Sequence, residues 1–288
     1  MKLKDLEVAL KTESGQHTTN IFMPSIKRDV PFRPITTADV KTLSRIGVFN
    51  DFDLNNEMLK LSLFDKLIIE SKDSCGIDSE TILPIDFLSF LIGVRRLLNN
   101  ELSYTFTCKT CEKKFEETFD LEKRLTSFIF NYQRKICEYE KIDSHNDVWK
   151  FVLEDFTMKE YLYYRYYIDR LSQIDSNNPD VINEATYARP ILYVKSISKN
   201  GEPIEDWNEH VLSDKIKLIN MLPSEVIVDS RVRKEFEEPD PNTSLGTFIQ
   251  ANFDTEKMIR AINEMKVKCP HCGQEYSGVF KFDDFFMF

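Results

Sequence analysis

Four of the six cysteines in this 288-residue chain fall into two C-x-x-C pairs, Cys108/Cys111 in "TCKTCEKKF" and Cys269/Cys272 in "VKCPHCGQEY". A C-x-x-C turn presents two sulfurs from one tight bend, and two such turns supply the four thiolates that close a tetrahedron around zinc. A site saturated in this way keeps no open position for water, so it holds structure and does not catalyse. Iron in a rubredoxin-like setting takes the same ligands, and the spacing leaves zinc versus iron open. A thioredoxin-type redox pair is the competing reading for either motif alone, and two motifs with strand-like flanks weigh against it. In the second turn Pro270 stiffens the entry and Gly273 is free to take positive φ. His271, lying between two cysteines that both bind, points away from the metal. Lys109, Lys113, Lys114 and Lys268 offset the roughly two negative charges of a tetrathiolate zinc centre. Cys75 and Cys137 have no metal ligand at knuckle spacing and read as reduced thiols.

No other constellation competes as a reaction centre. The four histidines (17, 145, 210 and 271) are scattered, and neither H-E-x-x-H, G-x-S-x-G nor a phosphate-cradling glycine loop occurs. The expectation is a protein that is not an enzyme. Its formal charge of −10 disfavours nonspecific binding to nucleic acid or anionic membrane, both of which need a basic surface to displace counterions. A zinc-ribbon nucleic-acid-binding protein is the alternative function, because ribbons often touch nucleic acid. No apolar run approaches the roughly 18–20 residues of a membrane span, and "MKLKDLEVALKTESG" lacks an apolar signal core, so the expectation is a soluble protein made in the cytoplasm.

The elements that must position the cysteines follow from periodicity. "LSYTFTCKTCEKKFEETFDL" alternates through Tyr104 and Phe106 before the first pair and Phe115 and Phe119 after it, which predicts a β-hairpin with the cysteines at its tip. The second pair is flanked in the same way. Between the knuckles lie residues 112–268, 157 in number, where a zinc ribbon normally has about 15–20. The metal therefore acts as a clasp that closes a long loop. The expected fold class is α+β: a mainly helical body with a small split zinc-ribbon β element whose halves are separated by a helical insertion. The division is an N-terminal extended strap and helices over 1–100, the first hairpin over 101–121, an inserted mainly helical subdomain over 122–262, and the second hairpin with an aromatic C-terminal strand over 263–288.

Local signals place the helices. Pro24, Pro31 and Pro34 make a rigid, non-helical strap that stops at Thr36 or Thr37, either able to N-cap a helix near Asp39. Helices are predicted over Leu43–Phe49, in "NEMLKLSLFDKLIIES", from Pro84 through "LPIDFLSFLIGVRRLLNNE", in "SDKIKLINMLPSEV" up to Pro223, and around "DTEKMIRAINEM". Thr157 and Glu160 form a capping box ahead of "KEYLYYRYYIDRL", and Asn200-Gly201 signals a hairpin turn. Tyr161, Tyr164 and Ile168 share one face of that tyrosine helix, while Tyr163, Tyr166, Tyr167 and Arg170 spread over the rest. One core cannot hide them all, so Tyr163, Tyr166 and Tyr167, together with Phe285, Phe286 and Phe288 of the aromatic tail, are expected protein contacts.

Two blocks carry a family resemblance. "FMPSIKRDVPFRPITTADVKTL" resembles the opening of the baseplate hub and hub-assembly proteins of T-even-type contractile-tailed bacteriophages, with a "PS" strap and a "R-P-(L/I)-T-x-x-(D/E)" helix start. "ILPIDFLSFLIGVRRLLNNELSYTFTCKTCEKKFEETFDL" is similar to that family's best-marked block, with Asp86, Arg95, Tyr104, Cys108, Cys111, Asp120 and Leu121 at the matching places. The resemblance covers roughly residues 20–125 and, more loosely, the second knuckle and the aromatic tail, and it departs at "RRLLNNELSY", where the family has a shorter junction. It implies a virion structural or assembly protein of the baseplate with no catalysis. The implied partners are baseplate hub, spike and tape-measure proteins, first in the host cytoplasm and then in the virion tail.

Overall fold

The computed structural model describes residues 18–39, 41, 54–69, 76–98, 100–123, 131–175, 188–227, 244–253 and 264–279. The helices expected over 43–49 and around 254–263, and the aromatic tail with Phe285, Phe286 and Phe288, lie outside them. The chain divides into two compact units, one of Met1–Asp51, Asn55–Gln133 and Glu256–Phe288, the other of Phe52–Leu54 and Arg134–Thr255.

In the first unit the proline-rich segment is a hairpin, β1 (Thr19–Met23) against β2 (Arg28–Phe32). Lys27 turns the corner at φ 54°, left-handed backbone without a glycine. Alternation buries Ile21, Met23, Val30 and Phe32. They meet helices α1 (Leu54–Leu67) and α2 (Pro84–Leu98), and Phe32, Phe64 and Phe90 pack with centroids 5.2–5.5 Å apart. Two polar groups of α2 fix the hairpin. Asp86 accepts the Ser25 amide at 2.8 Å, and Ser89 Oγ donates to the Phe22 carbonyl at 2.6 Å. Gly93 lets the two approach: a Cβ there would lie 2.8 Å from three carbons of Ile21. Thr36 is the N-cap, exchanging hydrogen bonds with Asp39, whose carboxylate also takes a two-pronged bond from Arg33.

Beyond α2, strands β3 (Glu101–Thr107) and β4 (Lys114–Asp120) form the first knuckle hairpin. Its base is closed where α2 runs into β3. Asn100 donates to Asp120 Oδ1 and accepts the Glu122 amide, and its carbonyl accepts the Leu121 amide. Asp120 caps the next turn through the Lys123 amide, which, with Asn100, holds its carboxyl below the usual range despite some loss of water.

The expectation of a mainly helical body is overturned, and the second unit shows part of the reason. Its centre is a four-stranded antiparallel sheet of β5 (Ile136–Ile142), β6 (Val148–Glu154), β7 (Val194–Lys199) and β8 (Glu202–Pro203), in that order. Among the described residues helix accounts for 40% and strand for 29%, a mixed α+β fold. Tyr139, Trp149, Phe151, Leu153, Val194 and Ile197 are buried in its core. Asp143 builds the β5–β6 turn, accepting the His145 and Asp147 amides and Trp149 Nε1. The Asn200-Gly201 turn joins β7 to β8 with both residues at positive φ, as the dipeptide predicts. Helix α3 (Met158–Asp175) starts at the predicted capping box, with the Thr157 amide on Glu160 Oε2 and the Glu160 amide on Thr157 Oγ1. Helices α4 (Leu212–Asn220), α5 (Ser224–Ile227) and α6 (Leu245–Asn252) contribute Ile216, Ile219, Val226, Leu245 and Ile249 to the same core.

Candidate metal centre

The two knuckles are built alike. In the first, the Cys108 amide donates to the Lys113 carbonyl, and the Glu112 amide donates back to the Cys108 carbonyl. In the second, between β9 (Glu264–Lys268) and β10 (Glu275–Val279), the Cys269 amide donates to Gln274 and the Gly273 amide to Cys269. The residue after the second cysteine takes positive φ in both: Gly273 at 77°, where glycine adopts it freely, and Glu112 at 58°, where a side chain must tolerate it. Phe115 and Val267 are buried beside Cys108 and Cys269, with Phe106, Phe119 and Tyr276 packed around them.

This packing brings all four predicted cysteines together. Their sulfurs lie within 4.8 Å of one another, with Cys108–Cys272 at 3.5 Å and Cys111–Cys269 at 3.8 Å. Sulfurs placed tetrahedrally at ~2.3 Å from an ion sit about 3.8 Å apart, whereas a disulfide would require ~2.05 Å. The donor set therefore fits a four-coordinate thiophilic metal. The acid–base balance agrees. Burial would raise the Cys108 thiol, but the Tyr276 hydroxyl and the Cys111 and Thr110 amides pull it down to about 5. At Cys272 the Gln274 amide lowers the thiol, yet loss of water and the crowding sulfurs of Cys108, Cys269 and Cys111 drive it up to about 12. At Cys111 the Lys113 amide lowers the thiol, and loss of water with the neighbouring Cys108 and Cys269 raises it overall. Without a cation the cluster concentrates negative charge on Cys108. Ionising Cys111 and Cys272 as well needs a positive charge at its centre.

His271 is exposed and outside the cluster, as its position between two ligands requires. Lys109, Lys113, Lys114 and Lys268 are exposed around the knuckles, and Lys268 faces Glu275 at 3.9 Å. Cys137 lies half-buried on β5, against the core of the second unit; Cys75 is outside the described residues. Sequence reasoning missed Tyr276. Its hydroxyl lies 2.8 Å from Cys108 Sγ and accepts the Lys109 amide at 3.0 Å. The one available signal was an aromatic four residues after the last cysteine, on an alternating strand.

On α3, Tyr161, Tyr164 and Tyr167 pack against the core of the second unit. Tyr163 is 46% exposed, and half-buried Tyr166 accepts a hydrogen bond from Arg170 at 3.0 Å. No helix among the described residues is long and apolar enough to cross a membrane. Comparison of the chain with protein-family models, with curated proteins and with solved structures finds no match.

Proposed function

We propose that the protein is a non-enzymatic structural or assembly component of the central hub region of a contractile phage tail baseplate, stabilised by one structural zinc and acting through protein–protein contacts. The observation that supports the structural role is the cluster of four sulfurs at tetrahedral spacing. When bound, zinc supplies a closed-shell cross-link between two hairpins and offers no coordination position to a substrate. Cys108, Cys111, Cys269 and Cys272 hold it; iron is the competing ion for the same ligands. The baseplate assignment rests on the resemblance of residues 20–125, with hub, spike and tape-measure proteins as partners and the host cytoplasm, then the virion tail, as location. Exposed Tyr163 and the Tyr166–Arg170 pair offer side chains of the kind favoured at interface hot spots.

The test has two parts. Mass spectrometry of purified particles, or of tail-assembly intermediates, should find this chain; its absence from both would refute the baseplate reading. Elemental analysis should give one zinc per chain, and Cys269→Ser should lose it. A nucleic-acid role draws support from exposed Lys109, Lys113, Lys114, Lys266 and Lys268 around the knuckles. A dissociation constant tighter than about 10⁻⁶ M at physiological salt would favour that role over the baseplate.

A further inference from the structure

The four sulfurs are not equivalent. Cys108 is 1% exposed and collects three donors: the Tyr276 hydroxyl at 2.8 Å, the Cys111 amide at 3.4 Å and the Thr110 amide. Cys272 is exposed, and outside the ring of sulfurs its thiol takes a bond from the Gln274 amide. A metal-bound thiolate carries no proton, so in the loaded centre the phenol must be the donor to Cys108. The Lys109 amide already occupies one lone pair of that oxygen and leaves its hydrogen free to point at the sulfur. Tyr276 stands on β10 opposite Val267 of β9, so one knuckle hairpin supplies the donor to a ligand of the other across 168 positions of sequence.

A hydrogen bond to a metal-bound thiolate withdraws charge from the sulfur. It makes that sulfur a poorer nucleophile and steadies its bond to the metal. From this asymmetry we infer that Tyr276 is a positioning residue of the metal centre, fixing Cys108 as the anchored ligand and leaving Cys272 as the ligand that leaves first, the site at which soft electrophiles modify the protein. With a maleimide, the Cys272 sulfur forms a bond to an alkene carbon as the carbon–carbon π bond breaks. The resulting enolate takes a proton from water, leaving hydroxide, and Cys108, Cys111 and Cys269 would be the sulfurs left to hold the ion. The inference rests on reading the cluster as a metal centre.

The experiment uses the full chain loaded with zinc. After brief exposure to substoichiometric N-ethylmaleimide, peptide mass spectrometry of the four knuckle cysteines should place the first adduct on Cys272. A first adduct on Cys108, or an even spread over the four, overturns the inference. In Tyr276→Phe the ring and its packing are kept and the donor is lost. Competition with a chromophoric chelator should then show metal affinity roughly 10-fold weaker. In the cobalt-substituted variant the thiolate-to-metal charge-transfer band should move to lower energy, a change that loss of packing alone does not produce. Wild-type affinity together with an unmoved band would overturn the role of Tyr276. Protein that takes up neither zinc nor cobalt would instead refute the metal reading beneath it.

Discussion

Removing the metal should release the two knuckle hairpins from each other, and the size of that effect follows from chain connectivity. The ligand pairs are separated by residues 112–268, 157 in number. Closing a loop of that length costs about 5 kcal/mol of chain entropy. That figure is a ceiling, because residues 134–255 of the loop belong to the folded second unit and a denatured chain is already more compact than a random coil. Among the described residues the other ties between the hairpins are few: the buried cluster of Cys108, Phe115, Val267 and Cys269, the half-buried Phe106, Phe119 and Tyr276 packed on it, and the two hydrogen bonds of the Tyr276 hydroxyl; isolated two-stranded hairpins are marginal in water. Chelation should therefore strip hydrogen-exchange protection from the amides of β3, β4, β9 and β10. The loss should reach at most about 5 kcal/mol, between three and four powers of ten in the exchange rate. The two tryptophans, Trp149 and Trp207, both belong to the second unit, so their fluorescence follows that unit separately in the same samples. Cys269→Ser should reproduce the loss without chelator, and chelator should then add nothing, since both remove one interaction. Wild-type protein that keeps its protection after elemental analysis confirms metal loss would refute the clasp.

Three further predictions concern the supporting structure. Burial would raise the Asp39 carboxyl, but the Arg33 guanidinium and the Thr36 amide and hydroxyl lower it from 3.8 to about 2. A depressed acid stabilises the fold above its unfolded pKa and loses that contribution as pH falls through the folded value. After discounting for the third of Arg33 open to solvent, Asp39→Asn should cost about 1–2 kcal/mol at pH 7, and urea titrations should show the difference shrinking between pH 4 and pH 2. Gly93→Ala places a methyl 2.8 Å from Ile21; overpacking of about 1–3 kcal/mol exceeds the helix-propensity gain of about 1, and a double-mutant cycle should show Ile21→Ala relieving it. Thr157→Ala should cost about 1 kcal/mol in unfolding followed by tryptophan fluorescence, with Thr157→Ser restoring most of it.

The cluster of four cysteines was legible because its signal is local: each C-x-x-C fixes two sulfurs within one turn, and only the pairing of the turns is long-range. Thr157/Glu160, Asn200-Gly201 and the helix start at Pro84 were legible for the same reason. The four-stranded sheet was not. Its β5–β6 turn contains no glycine; Asn146 takes φ 62° while Asp143 gathers the amides, so the usual turn marker is missing. The outward positions of β5 mix Ile136 and Ile142, 68% and 58% exposed, with Glu138 and Glu140, which blurs its alternation. The proline-rich segment read as an extended strap because its turn is made by Lys27 at positive φ, a conformation that residue identity does not advertise. The Tyr276–Cys108 bond left only a faint trace in the sequence, an aromatic four residues past the last cysteine, since the bond exists only once distant hairpins meet.

The separation of the knuckles also sets a timetable for biosynthesis. Cys108 and Cys111 leave the peptidyl-transferase centre with 157 residues still to be added before Cys269, roughly 8–30 s at bacterial and eukaryotic elongation rates. Throughout that interval the nascent chain carries half a ligand set, two thiols that must stay reduced and can hold a metal only loosely. A metal held by all four thiols would thus report that translation has run past Cys272. A ribosome stalled inside the second unit leaves a product whose first knuckle has nothing to close on, and quality-control proteases meet that unpaired hairpin in place of a finished centre.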